Sequence, residues 1–296
     1  MSHLHLQPSQ LFTIGLDTAT IDCPDNSPAG DKKRGKLVEI KPVNEGKPNI
    51  LKNSPSVSSF NRLIYQKLKE SLGDSTDERD RPFILNVGGD HSTAMGSILA
   101  LNEAYNGRLG IIWVDAHADI NTPHSSITKN VHGCPVSLLM DLEDARAQDP
   151  AFEWTRDKMA VKPIQLVYIG LRALDQKERD ILVKWGISFF TMFEVEKFGI
   201  DKTIEMALHA IDPRGELPLH FSFDVDSVDP SFIAATGTPE PGGLTFREAR
   251  YLAHKLNGTG RLVSMDLVEL NPGIGTDEQV NRSFRYATEV VNAALG

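Results

Sequence analysis

The sequence predicts an α/β protein of three layers, in which a mostly parallel central sheet is covered by helices on both faces. Short apolar segments of strand length alternate with longer segments whose apolar residues recur at helical spacing. The strand segments are almost continuously apolar, as expected for strands buried on both faces of a parallel sheet. Because no internal repeat or linker divides the chain, one α/β domain is the simplest organisation.

The individual elements follow this alternation along the chain. Residues 11–15 are a possible short strand, whereas residues 23–46 are rich in Pro, Gly, Asp and Lys and are predicted to be loop. The other predicted strands are 83–87, 111–114, 164–169, 187–190, 217–223 and 262–268. The predicted helices are 59–72, 93–104, 135–142, 175–185, 202–211, 245–256 and 278–294.

The composition argues against several classes of partner. The 296 residues carry a net charge of −9, which disfavours nucleic acid and anionic membranes as ligands. No apolar run approaches the roughly 18 residues of a membrane span, and the N-terminal residues lack the features of a signal or transit peptide. The two cysteines, Cys23 and Cys134, provide neither a disulfide framework nor a Cys-x-x-Cys site. We therefore expect a cytoplasmic protein.

Acidic residues and histidines collect where four of the predicted strands end. In chain order they are His91, then Asp115, His117 and Asp119, then Asp224 and Asp226, and finally Glu269. In open parallel sheets, ligands bind outside the carboxyl ends of the strands. Taken singly, His91 could be bonded within a turn, and the pair Asp224 and Asp226 could form a turn or cap a helix. The combination predicts a functional site at this edge of the sheet.

The stretch after the strand at 111–114 indicates a metal site. If the strand geometry continues past Val114, the side chains of Asp115, His117 and Asp119 point the same way, because strand residues alternate between faces. Two carboxylates and an imidazole in one place would repel and desolvate one another unless a multivalent cation compensates. The pair Asp224 and Asp226 repeats the spacing.

The strand ends offer enough ligands for two metal ions. The six candidates are His91, Asp115, His117, Asp119, Asp224 and Asp226. Four carboxylates and two imidazoles without a thiolate favour Mn²⁺ over Mg²⁺, Fe²⁺ or Co²⁺, and a structural zinc would normally use cysteine. Six ligands suffice for two ions only if carboxylates bridge, as in centres whose ions lie about 3.5 Å apart and share a water that ionises near neutral pH.

These residues belong to longer motifs. One set is Gly88-Gly-Asp-His-Ser92, Asp115-Ala-His-Ala-Asp-Ile-Asn121, Ser222-Phe-Asp-Val-Asp226 and Thr236-Gly-Thr-Pro239. A second set is Asn121-Thr122, Asn130-Val-His-Gly-Cys-Pro135, Gly170-Leu-Arg172 and Val268-Glu-Leu-Asn-Pro272. The first set resembles the ureohydrolases, and the second resembles the arginases among them. Residues 1–48 lack the Gly-Val-Glu-x-Gly-Pro segment typical of arginases. We therefore divide the chain into a divergent, loop-rich segment, 1–48, and an arginase-like catalytic domain, 49–296.

The resemblance implies hydrolysis of L-arginine to L-ornithine and urea by a metal-bridging hydroxide, with two Mn²⁺ ions in each subunit of a homotrimer. By position, one ion would be held by His91, Asp115, Asp119 and Asp224, and the other by His117, Asp115, Asp224 and Asp226. Asp119 would also serve in catalysis. Glu269 would orient the guanidinium group, and His132 would shuttle a proton, for which an imidazole is suited by its near-neutral pKa.

The resemblance also implies contacts to the amino-acid end of the substrate. The α-carboxylate would meet Asn121, Ser126, Thr128 and Asn130. The α-ammonium would meet Asp175 directly and Glu178 through water, and Thr238 would be a further substrate contact. Asp175 and Glu178 also have the spacing of a helix-capping box, a role that can coexist with binding. Thr128-Lys129 stands where many arginases have Ser-Gly, and Ala173 where many have Asp.

Three functions remain open, of which a working arginase is preferred. A ureohydrolase for agmatine or guanidinobutyrate is second; agmatine has no carboxylate, so the donors in 121–130 argue against it. A non-catalytic arginase-like protein that binds metal or a partner chain is third, and the intact ligands with His132 and Glu269 disfavour it. The deacetylases of similar fold are a weaker alternative, because they use one zinc ion and fewer acidic ligands.

Overall fold

A parallel sheet organises the computed structural model, which describes residues 11–15, 49–73 and 81–296. Within these residues the sheet has seven strands in the spatial order β1-β2-β7-β6-β3-β4-β5, and every pairing is parallel. The strands are β1 (Leu11–Gly15), β2 (Phe83–Val87), β3 (Gly110–Val114), β4 (Leu166–Leu171), β5 (Ser188–Thr191), β6 (Leu219–Asp224) and β7 (Leu262–Val268). β2, β7, β6 and β3 are neighbours, so the strand ends that carry the candidate site residues adjoin.

The helices of the described residues alternate with the strands. They are α1 (Ser54–Leu72), α2 (Ala94–Ala104), α3 (Pro135–Met140), α4 (Ala145–Gln148), α5 (Gln176–Trp185), α6 (Met192–Phe198), α7 (Ile200–Ile211), α8 (Phe246–Gly258) and α9 (Asp277–Leu295). Capping boxes begin α5, α6, α8 and α9: an Asp or Thr side chain accepts from the backbone three residues on, where a Glu or Gln reaches back.

The core lies in two layers, one on each face of the sheet. Along β3, Ile111 and Trp113 pack on the side of α1, α2, α3 and α5, whereas Ile112 and Val114 pack on the side of α7, α8 and α9. This alternation is the period of two expected for a strand buried on both faces. The predicted three-layer α/β/α architecture is therefore confirmed.

Most predicted elements are confirmed, with differences at a few positions. The possible strand at 11–15 exists and pairs with β2. The predicted start of β4 at Ile164 was wrong. Residues 163–165 form a 3₁₀ turn, which leaves the Ile164 side chain 70% exposed. α6 was not predicted. The predicted loop at 23–46 lies outside the described residues, so the boundary at residue 48 stays a prediction. No helix in the described ranges has the length and apolarity needed to cross a bilayer.

Candidate metal centre

The backbone after β3 turns sharply instead of continuing as a strand. β3 ends at Val114, residues 116–117 form a bend, and Asp119 adopts a left-handed φ of 51°. The expectation that extended geometry aligns these side chains was therefore wrong. The bend gathers them all the same: the Asp115 carboxylate accepts a hydrogen bond from the backbone N–H of His117 at 2.7 Å. A short polar side chain at Asp119 suits a left-handed position.

The first group of candidate ligands surrounds His91. Its Nδ1 lies 3.0 Å from an oxygen of Asp115, 3.1 Å from one of Asp224 and 3.5 Å from one of Asp119. His91 and Asp115 are fully buried. The ring can approach these oxygens closely because His91 begins a 3₁₀ turn directly after the β2 exit.

The second group surrounds His117, on the other side of Asp115. The His117 Nδ1 lies 3.1 Å from an oxygen of Asp226 and 3.5 Å from the second oxygen of Asp115. Asp115 therefore faces both groups. The candidate ligand atoms lie within 4.8 Å of one another in two sets of three residues: His91, Asp115 and Asp224, and Asp115, His117 and Asp226. The structure brings together all six residues predicted as ligands, and Asp115 occupies a bridging position.

A turn at the end of β6 supplies the last two carboxylates. Asp224 is the final strand residue, and residues 225–227 form a 3₁₀ turn in which the Asp224 side chain accepts from the backbone N–H of Asp226 at 2.8 Å. Thr238, predicted as a substrate contact, donates its hydroxyl to Asp226 at 2.9 Å. In the structure, Thr238 thus contacts a candidate metal ligand, and its contact with substrate stays a prediction.

The electrostatics of the cluster favour added positive charge. Burial and neighbouring carboxylates raise the pKa of Asp119 and Asp224 well above the ordinary value. Burial opposes protonation of His117, but hydrogen bonds to Asp115 and Asp226 outweigh it and raise the pKa to about 12. Without cations, these shifts favour the protonated form of the Asp119 and Asp224 carboxyl groups. The donor set, four carboxylates and two imidazoles in a buried pocket, fits divalent metal ions.

His132 and Glu269 lie beside the first group. Glu269 follows β7 with a φ of +64°, and its carboxylate accepts from the backbone N–H of His91 at 2.8 Å. The His132 Nδ1 lies 3.6 Å from the same oxygen. The nearby Glu269 carboxylate raises the pKa of His132, although burial opposes it. Burial raises the pKa of Glu269, but its bonds with His132 and the His91 backbone outweigh this and lower it.

The loop after Asp119 carries the predicted carboxylate-binding residues. Asn121 donates its amide to Asp175 at 2.8 Å, which joins the two predicted substrate segments. Ser126 and Thr128 accept backbone N–H bonds within the loop, and the Asn130 amide lies 3.3 Å from the His132 Nε2. Asn121 thus contacts Asp175 and Asn130 contacts His132, while the contact of the four loop residues with substrate stays a prediction.

Asp175 and Glu178 cap α5, as their spacing predicted. The Glu178 N–H donates to Asp175 at 2.9 Å, and the Asp175 N–H donates to Glu178 at 3.1 Å. Glu178 is only 7% exposed. Burial raises its pKa to about 7.

Comparison with known proteins gives the chain its family. A model described as the arginase family matches residues 21–296. The chain belongs to the arginase family. The arginase of Schizosaccharomyces pombe is 41% identical over 258 residues, which cover 86% of this chain and 76% of that protein. Human Arginase-1 is 41% identical over 255 residues, with the same coverage of both chains. A crystal structure of Bacillus subtilis arginase superposes with a TM-score of 0.77 at 31% identity, covering 89% of this chain and 85% of the other.

Membership of the arginase family makes this chain an arginase-type hydrolase of a metal-dependent family. The predicted resemblance is thereby confirmed. The family match begins at residue 21, upstream of the predicted boundary at residue 48.

Two residues that support this arginase-family centre were not predicted. Trp113 donates its indole N–H to Asp115 at 2.9 Å, and its ring stacks on His91 with centroids 3.9 Å apart. Arg172 donates to backbone carbonyls, among them those of Asp226 and Glu240 at 2.7 Å, and so joins the β6 turn to a later loop. The role of Trp113 could not be predicted, because the residue lies inside an apolar strand like any core residue. Arg172 could have been found, because it ends the Gly170-Leu-Arg172 motif.

Proposed function

We propose that this chain hydrolyses L-arginine to L-ornithine and urea and uses two Mn²⁺ ions held by the His/Asp cluster. One observation carries the proposal: two groups of candidate ligands share Asp115, and His132 and Glu269 lie next to them. When bound, the two ions supply an activated water as nucleophile and stabilise the negative charge that develops on it. The relatives named above are arginases, which supports the choice of substrate.

Each ion is proposed to have its own set of ligands. His91, Asp115, Asp119 and Asp224 would hold one ion, and His117, Asp115, Asp224 and Asp226 would hold the other. Asp119 is also proposed to act in catalysis, because its carboxylate borders the first group at 3.5 Å from the His91 Nδ1. Oxygen and imidazole donors without thiolate favour Mn²⁺.

The chain's own residues would bind and protonate the reacting group. Glu269, whose pKa is held low, is a carboxylate at neutral pH and can pair with the guanidinium of the substrate. His132, whose pKa is raised beside Glu269, is more readily protonated than a free imidazole and can pass a proton to the amino group that leaves as the C–N bond breaks. Because His132 and Glu269 are neighbours, the proton donor and the carboxylate that pairs with the guanidinium lie on the same side of the centre.

Specificity is proposed to reside in the loop after Asp119 and the start of α5. The neutral donors Asn121, Ser126, Thr128 and Asn130 suit an α-carboxylate, and the acids Asp175 and Glu178 suit an α-ammonium. Thr238 is retained as a further substrate contact. Agmatine has no carboxylate and would leave those donors unpaired, which is unfavourable in a partly buried site.

Urea release from a small substrate panel tests the proposal. The purified chain, loaded with Mn²⁺, is assayed with L-arginine, agmatine and 4-guanidinobutyrate. We expect L-arginine to be preferred, and Asp119→Ala to lose metal content and urea release together. No urea at full metal occupancy would exclude the enzymatic function, and a preference for agmatine would reassign the substrate.

Assembly is proposed from the family resemblance, and location from the composition and cysteine usage of the sequence. We infer a homotrimer in the cytoplasm, with small-molecule substrate as partner and without nucleic acid or membrane. Light scattering of the purified chain gives the mass of the assembly, and a monomeric mass of 32.7 kDa would contradict the trimer.

A further inference from the structure

Asp266 is a buried carboxylate in the interior of β7, away from the strand ends. Its side chain is fully buried and lies within hydrogen-bonding distance of four polar groups. One oxygen accepts from Asn86 at 3.1 Å and from Ser97 at 2.9 Å. The other accepts from Ser222 at 3.1 Å and lies 2.9 Å from the His220 Nε2. The polar partners come from β2, α2 and β6, and one of them, Ser222, also contacts the candidate ligand His91.

These contacts keep Asp266 ionised in the core. Burial alone would raise its pKa, but His220, Ser97 and Asn86 outweigh that effect and lower it. Buried ionic groups are weak contributors to net stability compared with apolar residues of similar volume. A fully bonded carboxylate in this position therefore calls for a reason other than stability.

The chain of bonds from Asp266 leads to a candidate metal ligand. The Ser222 hydroxyl lies 3.1 Å from the Asp266 carboxylate and 2.9 Å from the His91 Nε2. The other ring nitrogen, Nδ1, faces Asp115 and Asp224. One hydroxyl thus connects the buried carboxylate to the ring nitrogen that faces away from the cluster.

The chemistry of the three groups fixes the direction of these bonds. An ionised carboxylate only accepts, so the Ser222 proton must point to Asp266. The Ser222 oxygen is then oriented as an acceptor, and it accepts a hydrogen bond from His91 Nε2–H. This tautomer leaves Nδ1 of His91 without a proton and able to bind a cation. Hydrogen bonding of the distal N–H also raises the basicity of a metal-binding imidazole.

We propose that Asp266 is a positioning residue of the metal centre, acting through Ser222 to hold His91 in its metal-binding tautomer and orientation. The inference rests on the proposed metal-binding function of the cluster. It assigns Ser222 of β6 and Asp266 of β7 to the candidate ion site at His91.

A matched pair of variants separates this role from a structural one. Ser222→Ala removes the hydroxyl that joins Asp266 to His91. Ser264→Ala removes another fully buried hydroxyl, which lies 2.8 Å from the His220 Nδ1 and touches neither His91 nor a candidate ligand. Both variants lose one buried hydroxyl near the same carboxylate, so a general loss of packing or of polar contacts would affect them alike.

The measurement is stepwise Mn²⁺ binding to the metal-free full-length chain by titration calorimetry, with the melting temperature recorded in parallel. We expect Ser222→Ala to weaken one of the two binding steps by about 10- to 100-fold and to leave the other nearly unchanged. Asp266→Asn should weaken the same step. Ser264→Ala should bind both ions within about 3-fold of the parent chain.

Two outcomes would overturn the inference. One is a Ser222→Ala variant that binds both ions as tightly as Ser264→Ala. The other is equal weakening of both steps in the two serine variants, in proportion to a lower melting temperature. The proposed function fails differently: a parent chain that binds two Mn²⁺ ions without releasing urea would contradict arginine hydrolysis and leave the positioning role intact.

Discussion

His132 and Glu269 face each other at 3.6 Å beside the ligands, and a partly exposed imidazole in that position is suited to deliver a proton. We expect His132→Ala to lower kcat for urea release by about 10²- to 10⁴-fold, because a positioned acid contributes that range. The Mn²⁺ content should stay unchanged, since His132 belongs to neither ligand group.

Chemical rescue sharpens the test of His132. The side chain is 32% exposed, so added imidazole can reach the vacated space and restore part of the rate. His124→Ala, which removes an exposed histidine of the same loop, is the control and should retain full activity. An unrescued loss accompanied by loss of metal would indicate a structural role.

Glu178 gives the protein a pH-dependent stability. Burial raises the pKa of its carboxyl from 4.5 to about 7. The folded chain therefore holds a proton that the unfolded chain releases, and this stabilisation is present below pH 4.5 and lost as the pH rises through 7. Glu178→Gln mimics the protonated group and keeps an acceptor for the Asp175 N–H. In the metal-free protein, the free energy of unfolding of the variant should rise relative to that of the parent by at most about 3 kcal/mol between about pH 5 and pH 8.

Urea denaturation at the two pH values measures this gain for Glu178→Gln. The control is Glu248→Gln, which replaces the corresponding acid in the capping box of α8, where the side chain is only half-buried. A difference between variant and parent that is the same at both pH values would show that Glu178 titrates normally.

Among the elements, the loop at 121–130 departs from the family pattern at Thr128-Lys129. Lys129 occupies a left-handed backbone position, with φ of 60°, where many arginases have Gly. Its ammonium donates to the carbonyls of Pro123 and His124 at 2.8 and 3.1 Å, which closes the loop on itself. In this chain, the Lys129 side chain therefore holds the loop in its shape.

We expect Lys129→Met to raise KM for L-arginine several-fold with a smaller change in kcat. The variant removes the two charge-assisted bonds but no candidate catalytic group, so the loop loses its fixed shape and the reacting end of the substrate is unaffected. Steady-state urea kinetics measure both parameters. Lys202→Met removes an exposed lysine on α7 and should change neither. A fall in kcat at constant KM would contradict the assignment.

The elements also show what the sequence could predict. β2 and β7 were predicted to the residue, because mostly apolar runs bounded by glycines or polar residues indicate buried parallel strands. α6 was missed although Thr191 and Glu194 form its capping box, since the segment is short. The bend after Val114 could not be predicted, because it depends on contacts to residues far along the chain.

The polar network behind the cluster was missed for a different reason. His220 and Ser222 alternate along β6, and Ser264 and Asp266 alternate along β7, so all four point to one face. This period of two was visible in the sequence. Its meaning was not, because only the adjacency of β6 and β7 brings the four side chains together.

At the scale of the whole molecule, a net charge of −9 coexists with four carboxylates gathered in one buried cluster. Metal ions should therefore stabilise the fold as well as serve the reaction. At 100 times the dissociation constant, each bound ion adds about 2.7 kcal/mol. We expect saturating Mn²⁺ to raise the melting temperature of the chelator-treated protein by at least about 5 °C.

Differential scanning calorimetry with and without chelator measures the stabilisation by metal. Asp224→Asn, which replaces a buried carboxyl group whose ionisation is opposed by burial and by neighbouring carboxylates, should melt higher than the parent chain without metal and gain less from Mn²⁺. A parent chain that melts at the same temperature in Mn²⁺ and in chelator would contradict metal binding at this site.

β6 and β7 come last among the strands but lie between β2 and β3. While the chain is being synthesised, β2 and β3 leave the ribosome with unpaired edges, and such edges can pair with other chains. Only when β6 and β7 emerge can these edges be covered, and only then do Asp224 and Asp226 reach His91 and His117. We expect metal capture to follow completion of synthesis, and chains that stop before Leu219 to be targets for chaperones.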